Sequence, residues 1–137
     1  MPRNKDVFWL RADVLKNQVS FYVETWENHA SKHASDKVPS SPEHIYQTVV
    51  APDVAHRSLD PVIGGEVCLF VKRFEIEQLR FIVPVIYDGV EEAGDYDQGG
   101  KKGRVQSGWF LQNNKPSNMV GEIIWTKQDG LLGGKNK

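Results

Sequence analysis

The apolar pattern changes period once, at Ala51-Pro52, and that change limits the fold more than any other feature of the chain. Proline pushes the residue before it out of the helical region, so whatever helix precedes Pro52 ends there. Beyond it, β-branched and aromatic residues gather in short runs over 54–58, 66–74, 79–87 and 103–111, and alternation over 119–126 predicts a last strand. Gly64-Gly65, the 75–78 turn and the 88–102 stretch separate them, and neighbours joined this way form an antiparallel meander most simply. Pro84 lies inside the 79–87 run and demands a bulge or an unpaired edge.

Before the junction, runs over 7–16 and 18–24 broken at Lys16-Asn17 predict a hairpin. Thr25 is placed to cap a first helix over 25–34, with Glu27 in its first turn. A polar, proline-interrupted loop follows. Ser40 with Glu43 three residues on has the form of a capping box, and Pro42 suits a first turn, so a second helix runs over 41–50 with Ile45 and Val49 on its apolar stripe. His44 falls off that stripe and reads as a solvated residue at the helix start. The expected fold is α+β, an N-terminal hairpin and two helices packed on an antiparallel sheet.

A chain of 137 residues suits one domain, expected over 1–128 with a disordered tail at 129–137. Seventeen Lys and Arg against 18 Asp and Glu give a net charge of -1, which excludes coating nucleic acid by bulk electrostatics but leaves room for a local basic cleft. The single Cys68, in an apolar run, excludes an internal disulfide and reads as core. No apolar run approaches a membrane span and the N-terminus lacks a signal core, so the expected location is cytoplasmic. The stretch 88–102, acidic and then basic and punctuated by glycine, reads as a mobile loop.

The chemistry concentrates at Trp26, His29 and His33. Two histidines four apart share one helix face, and imidazoles titrate near neutral pH, so one can take a proton while its neighbour gives one. A solvated face is the plain alternative. The spacing also suits metal, but Ala30 stands where a zinc hydrolase of this pattern has its glutamate, and Asp36, His44 and His56 sit at no diagnostic interval; neither metal nor cofactor is expected. Lys72, Arg73, Arg80 and Arg104 lie on predicted strands with Ser107. Singly, such cations point to solvent; converging near two histidines, they would form a phosphate site.

A hairpin, then Trp26-x-x-His29-x-x-x-His33, a second helix ending at Ala51-Pro52-Asp53, strands bearing Lys72-Arg73, and Arg104-Val105-Gln106-Ser107-Gly108-Trp109 together resemble the phage-associated nuclease domains of the barnase/EndoU/colicin/RelE-like group over about residues 7 to 111. That resemblance implies a small metal-independent endoribonuclease, a toxin or phage-encoded effector acting on RNA such as tRNA, with a cognate antitoxin or immunity protein as partner. It places catalysis on His29, His33, Lys72 and Ser107, and substrate binding on Arg73, Arg80, Arg104 and Trp109. Three departures stand out: Ala30 for isoleucine, a longer loop after the second histidine, and Ser107-Gly108-Trp109 for Thr-Ala-Tyr. Ser107 keeps the hydroxyl, whereas Gly108 is expected to loosen the strand. Two rivals remain: a non-catalytic interaction domain that uses Trp109 for protein contact, and a metal-dependent hydrolase.

Overall fold

The computed structural model describes residues 7–28, 40–58, 66–88, 100–111 and 120–131. The chain opens with β1 (Val7–Ala12) and β2 (Gln18–Tyr22), paired antiparallel as expected. Asp13 makes the turn between them: its Oδ1 accepts the backbone N–H groups of Leu15 and Asn17, each at 2.9 Å, and Lys16 takes φ 69°. In β1 the pairs Val7↔Tyr22 and Trp9↔Phe21 leave Phe8 as an extra residue, a bulge. Helix α1 (Val23–Asn28) follows β2 directly, two residues ahead of the expected Thr25 cap. The rest of the predicted first helix, with His29 and His33, lies outside the described residues.

Helix α2 (Pro42–Val50) ends where Ala51-Pro52 dictates. Its cap is one residue later than the sequence pattern suggested. Ser41 is the N-cap; its N–H donates to His44 Nδ1 at 3.1 Å, and the His44 N–H donates back to Ser41 Oγ at 3.4 Å. An imidazole nitrogen thus replaces the expected Glu43 carboxylate as the returning acceptor.

The strands that follow are β3 (Val54–Ser58), β4 (Glu66–Phe74), β5 (Leu79–Asp88), β6 (Lys102–Val105), β7 (Trp109–Phe110), β8 (Val120–Thr126) and β9 (Gly130–Leu131). One mixed, mostly antiparallel sheet runs β1-β2-β6-β5-β4-β3-β8-β9, and β7 pairs with β5. The meander from β3 through β6 is as predicted. Parallel pairing of β2 with β6 was not expected, nor was β9, which pairs Leu131 with Trp125 inside the expected tail. The turn explains the first. Asn17 Oδ1 accepts the Lys101 N–H, Gln18 N–H donates to Lys101 O, and Gly100 N–H donates to Lys16 O, all within 3.0 Å, so the hairpin turn is fastened to the start of β6. Beneath it the Tyr87 hydroxyl donates to Asp13 Oδ2.

The predicted 103–111 strand is split in two, and Pro84 explains the split. In an antiparallel ladder a residue's N–H and C=O face the same neighbour. Pro84 O accepts the Gln106 N–H at 2.9 Å, so the side on which proline lacks a donor faces residues 106–108. There the ladder breaks: Val85 still pairs with Val105 and Ile82 with Trp109, leaving three residues opposite two. The expected irregularity falls on the neighbouring strand.

Apolar side chains are buried on both sheet faces, which is why β4 and β5 read as continuous apolar runs. On one face Ile45 and Val49 of α2 pack with Val19, Phe21, Cys68, Phe70, Phe81, Val83, Val85 and Phe110. On the other, Val67, Leu69, Val71, Ile82, Ile86 and Leu111 cluster with Trp109 and Val54 against them. Gly108, expected to loosen the strand, lies in the break between β6 and β7. A Cβ there would stand 2.8 Å from Ile45 Cγ1 and 2.9 Å from Phe81 Cε2, so the glycine lets α2 approach the sheet.

Candidate functional site

Side chains alternate along a strand, so the consecutive Lys72 and Arg73 leave opposite faces of the sheet, although both border the cleft beside the β4–β5 turn. Lys72 shares the α2 face with Phe70 and Phe74. Its Nζ donates to Ala51 O at 3.1 Å and stands 6.0 Å from the Phe74 ring centre. It thereby satisfies a carbonyl at the end of α2, where a cation also suits the helix dipole. Arg73 pairs directly with Arg80 across β4 and β5 on the opposite face. The Arg73 backbone N–H donates to Asp53 Oδ2 at 2.8 Å.

Arg104 pairs with Ile86, on the Arg73/Arg80 face but six residues along β5 from Arg80, about 20 Å away at the rise of a strand. The four predicted cations therefore do not converge. Ser107 lies in the break between β6 and β7. Trp109 is half-buried against the second core. His29 and His33, the predicted acid and base, are outside the described residues.

Among the described residues, two clefts take in cations predicted from the sequence. The larger, about 440 Å³, opens between the start of α2 and the β4–β5 turn, and includes Ser41, Glu43, His44, Lys72, Arg73 and Glu77 on its walls. His44 is its centre. Contrary to the expectation of a solvated residue, the ring sits edge-on to Phe74 at 4.9 Å and Phe110 at 4.8 Å, with Phe81 at 5.5 Å. Because Nδ1 accepts the Ser41 N–H, the neutral ring carries its proton on Nε2, 3.2 Å from Glu77 Oε2. Nδ1 caps α2 itself, and Nε2 ties the helix to the turn. His44 is thus an anchor, and Lys72 anchors the other end of the same helix.

The smaller cleft, about 240 Å³, is lined by Thr25, Arg104, Val105 and Gln106. Parallel pairing of β2 and β6 makes it: Ser20 sits beside Arg104, so α1, continuing from β2, begins at the end of the sheet where β6 also finishes. Of the predicted substrate residues, Arg104 alone lines this cleft. Thr25, expected only as a helix cap, and Gln106 were not read as site residues, because each becomes relevant to a site only through a strand pairing more than 80 residues apart. The cleft offers a guanidinium, a hydroxyl and an amide, a set suited to a phosphate and its sugar.

His56 lies apart from both clefts, on β3. Its Nδ1–H donates to Gly121 O at 3.0 Å, and burial, with the nearby Arg80 charge, pushes its pKa below the usual histidine value. Among the described residues no three His, Cys, Asp or Glu side chains group as metal ligands, and no helix is long and apolar enough to cross a membrane. No protein-family model, curated protein or solved structure matches the chain.

Proposed function

We propose that the protein is a metal-independent ribonuclease whose acid/base pair is His29 and His33 and whose phosphate contact is Arg104. One observation carries this reading: Thr25 of α1 and Arg104 of β6 line the same cleft, and His29 follows Thr25 by four residues in sequence. The finer fold reading, that of the barnase/EndoU/colicin/RelE-like group, is supported by the order of motifs and by the antiparallel meander from β3 to β6. One imidazole removes the proton of the RNA 2′-hydroxyl, which attacks the adjacent phosphorus; the other protonates the departing 5′-oxygen. Arg104 stabilises the charge that builds on the phosphoryl oxygens, and the Ser107 hydroxyl remains the proposed second donor. Lys72, proposed from sequence for that charge, is reassigned to holding α2.

The test is cleavage of single-stranded RNA in excess chelator. Arg104→Ala should lower the rate by about 10²-fold, the scale of losing one donor to a developing oxyanion, while Arg73→Ala and Arg80→Ala leave it within a few-fold. Equal rates for Arg104→Ala and wild type would move the phosphate contact elsewhere. A second reading, a non-catalytic interaction domain with an antitoxin or immunity protein as partner, is favoured by the sheet edge. There β1 leaves Val7, Phe8 and Leu10 each more than 40% exposed, at 45%, 44% and 45%. Stable binding of a protein partner at β1, with no cleavage of RNA, would select it.

A further inference from the structure

We infer that the pocket between β1 and the first turns of α2 is a nucleobase site that takes one unstacked base of a single-stranded nucleic acid. It measures about 280 Å³ and is lined by Phe8, Trp9, Arg11, Pro42, Glu43 and Tyr46. Its aromatic wall is built by the β1 bulge. The extra residue brings both Phe8 and Trp9 against Phe21, at ring distances of 5.0 Å and 5.7 Å, and Tyr46 of α2 closes edge-on against Trp9 at 5.5 Å. The wall is therefore held from the strand and the helix alike. Phe8 keeps 44% of its surface open, so a π-face remains available to a ligand.

The two charges on the lining choose the occupant. An apolar side chain of a protein partner would use the rings and make no use of the two charges, the Arg11 guanidinium, whose Nη1 donates to Leu10 O at 2.9 Å, and the Glu43 carboxylate. A nucleotide uses all of them: the base stacks on the aromatic wall, the guanidinium meets its phosphate, and the carboxylate accepts from N–H groups on the base edge. Gln47 Nε2 donates to Glu43 Oε2 at 2.9 Å, which fixes the carboxylate and leaves Oε1 to accept from a ligand. A carboxylate only accepts, so the pocket should prefer bases with an exocyclic amino group. Adenine, cytosine and guanine each offer one, whereas uracil presents carbonyl oxygens on either side of a single N–H. The choice of nucleic acid as ligand rests on the ribonuclease reading, but the pocket shares no residue with the Arg104 cleft.

The experiment is calorimetric titration of the full chain with AMP, CMP, GMP and UMP, and with a short deoxyribo-oligonucleotide that has no 2′-hydroxyl and so cannot be cleaved. AMP, CMP and GMP should bind at least several-fold more tightly than UMP. Phe8→Ala, at an exposed position where folding is checked by thermal unfolding, should weaken all four by about tenfold or more. Glu43→Gln should erase the discrimination against UMP. Arg11→Ala should weaken nucleotides and leave the corresponding nucleosides unchanged. Equal binding of all four bases, an unaltered affinity in folded Phe8→Ala, or binding of a proline-rich peptide with no binding of nucleotides would each overturn the inference. RNA cleavage without base binding defeats this pocket alone; base binding without cleavage defeats the ribonuclease reading alone.

Discussion

Two residues show how little an isolated side chain reveals of its role. His44 reads in sequence as a solvated residue near a helix start; in the fold it is the acceptor of the α2 cap, the partner of Glu77 and the centre of a ring cluster. Its ring lies beside Phe74, Phe81 and Phe110, residues 30 to 66 positions later, and no local pattern encodes that. His44→Ala should therefore lower stability by roughly 1 to 3 kcal/mol, read by urea denaturation, since it removes a cap and a packed ring together. An unchanged midpoint would show that the cap and cluster contribute nothing. Asp13 is the second case. Burial raises its pKa above the usual carboxylate value, partly opposed by the hydrogen bonds from Tyr87, Asn17 and Leu15. Between the unfolded value of 3.8 and the raised folded value, the folded chain holds a proton that the unfolded chain has released, so stability falls as pH rises through that window and is level above it. Asp13→Asn has no such proton to lose. Its stability relative to wild type should climb across the window, as followed by thermal unfolding against pH, and a constant difference would refute the assignment.

At the scale of elements, the parts set by local pattern were legible and the parts set by distant pairing were not. Pro52 ends α2, Lys16 and Asn17 turn the first hairpin, and the runs of β-branched and aromatic residues after Asp53 mark β3 to β5; each depends on neighbours in sequence. The consecutive Lys72 and Arg73 could also have been read more sharply, because alternation alone sets their side chains on opposite faces of β4. The β2–β6 pairing could not, since it joins Gln18 to Lys102 through the buried side chains of Asp13 and Asn17. That junction makes a sharp demand on Gly103, where an added Cβ would stand 2.7 Å from Tyr87 Cδ1 and 2.9 Å from Val85 Cγ1. Gly103→Ala should cost about 1 to 3 kcal/mol by overpacking, and Gly108→Ala a similar amount by pushing α2 off the sheet. Urea midpoints measure both, and wild-type values would mean the two contacts are loose.

Taken whole, the molecule separates the work of holding the fold from the work proposed for its chemistry. Lys72 and His44 fasten the two ends of α2, Trp109 fills the second core, and Arg104 alone among the predicted substrate residues lines a cleft with α1. The resemblance over residues 7 to 111 fits that division only in part, because the cations it implies are distributed over both sheet faces. The proposed acid/base pair gives the whole-molecule prediction: cleavage should depend on pH as a bell, since one imidazole must be neutral while the other is protonated, and the two limbs describe the coupled pair. The most direct measurement is the cleavage rate of one single-stranded RNA at neutral pH, in excess chelator, for wild type, His29→Ala and His33→Ala side by side. Wild type should cleave and leave a 2′,3′-cyclic phosphate end, with each variant slower by about 10²-fold or more. Wild-type rates in both variants, or cleavage that vanishes with chelator and returns with added metal, would contradict the proposal.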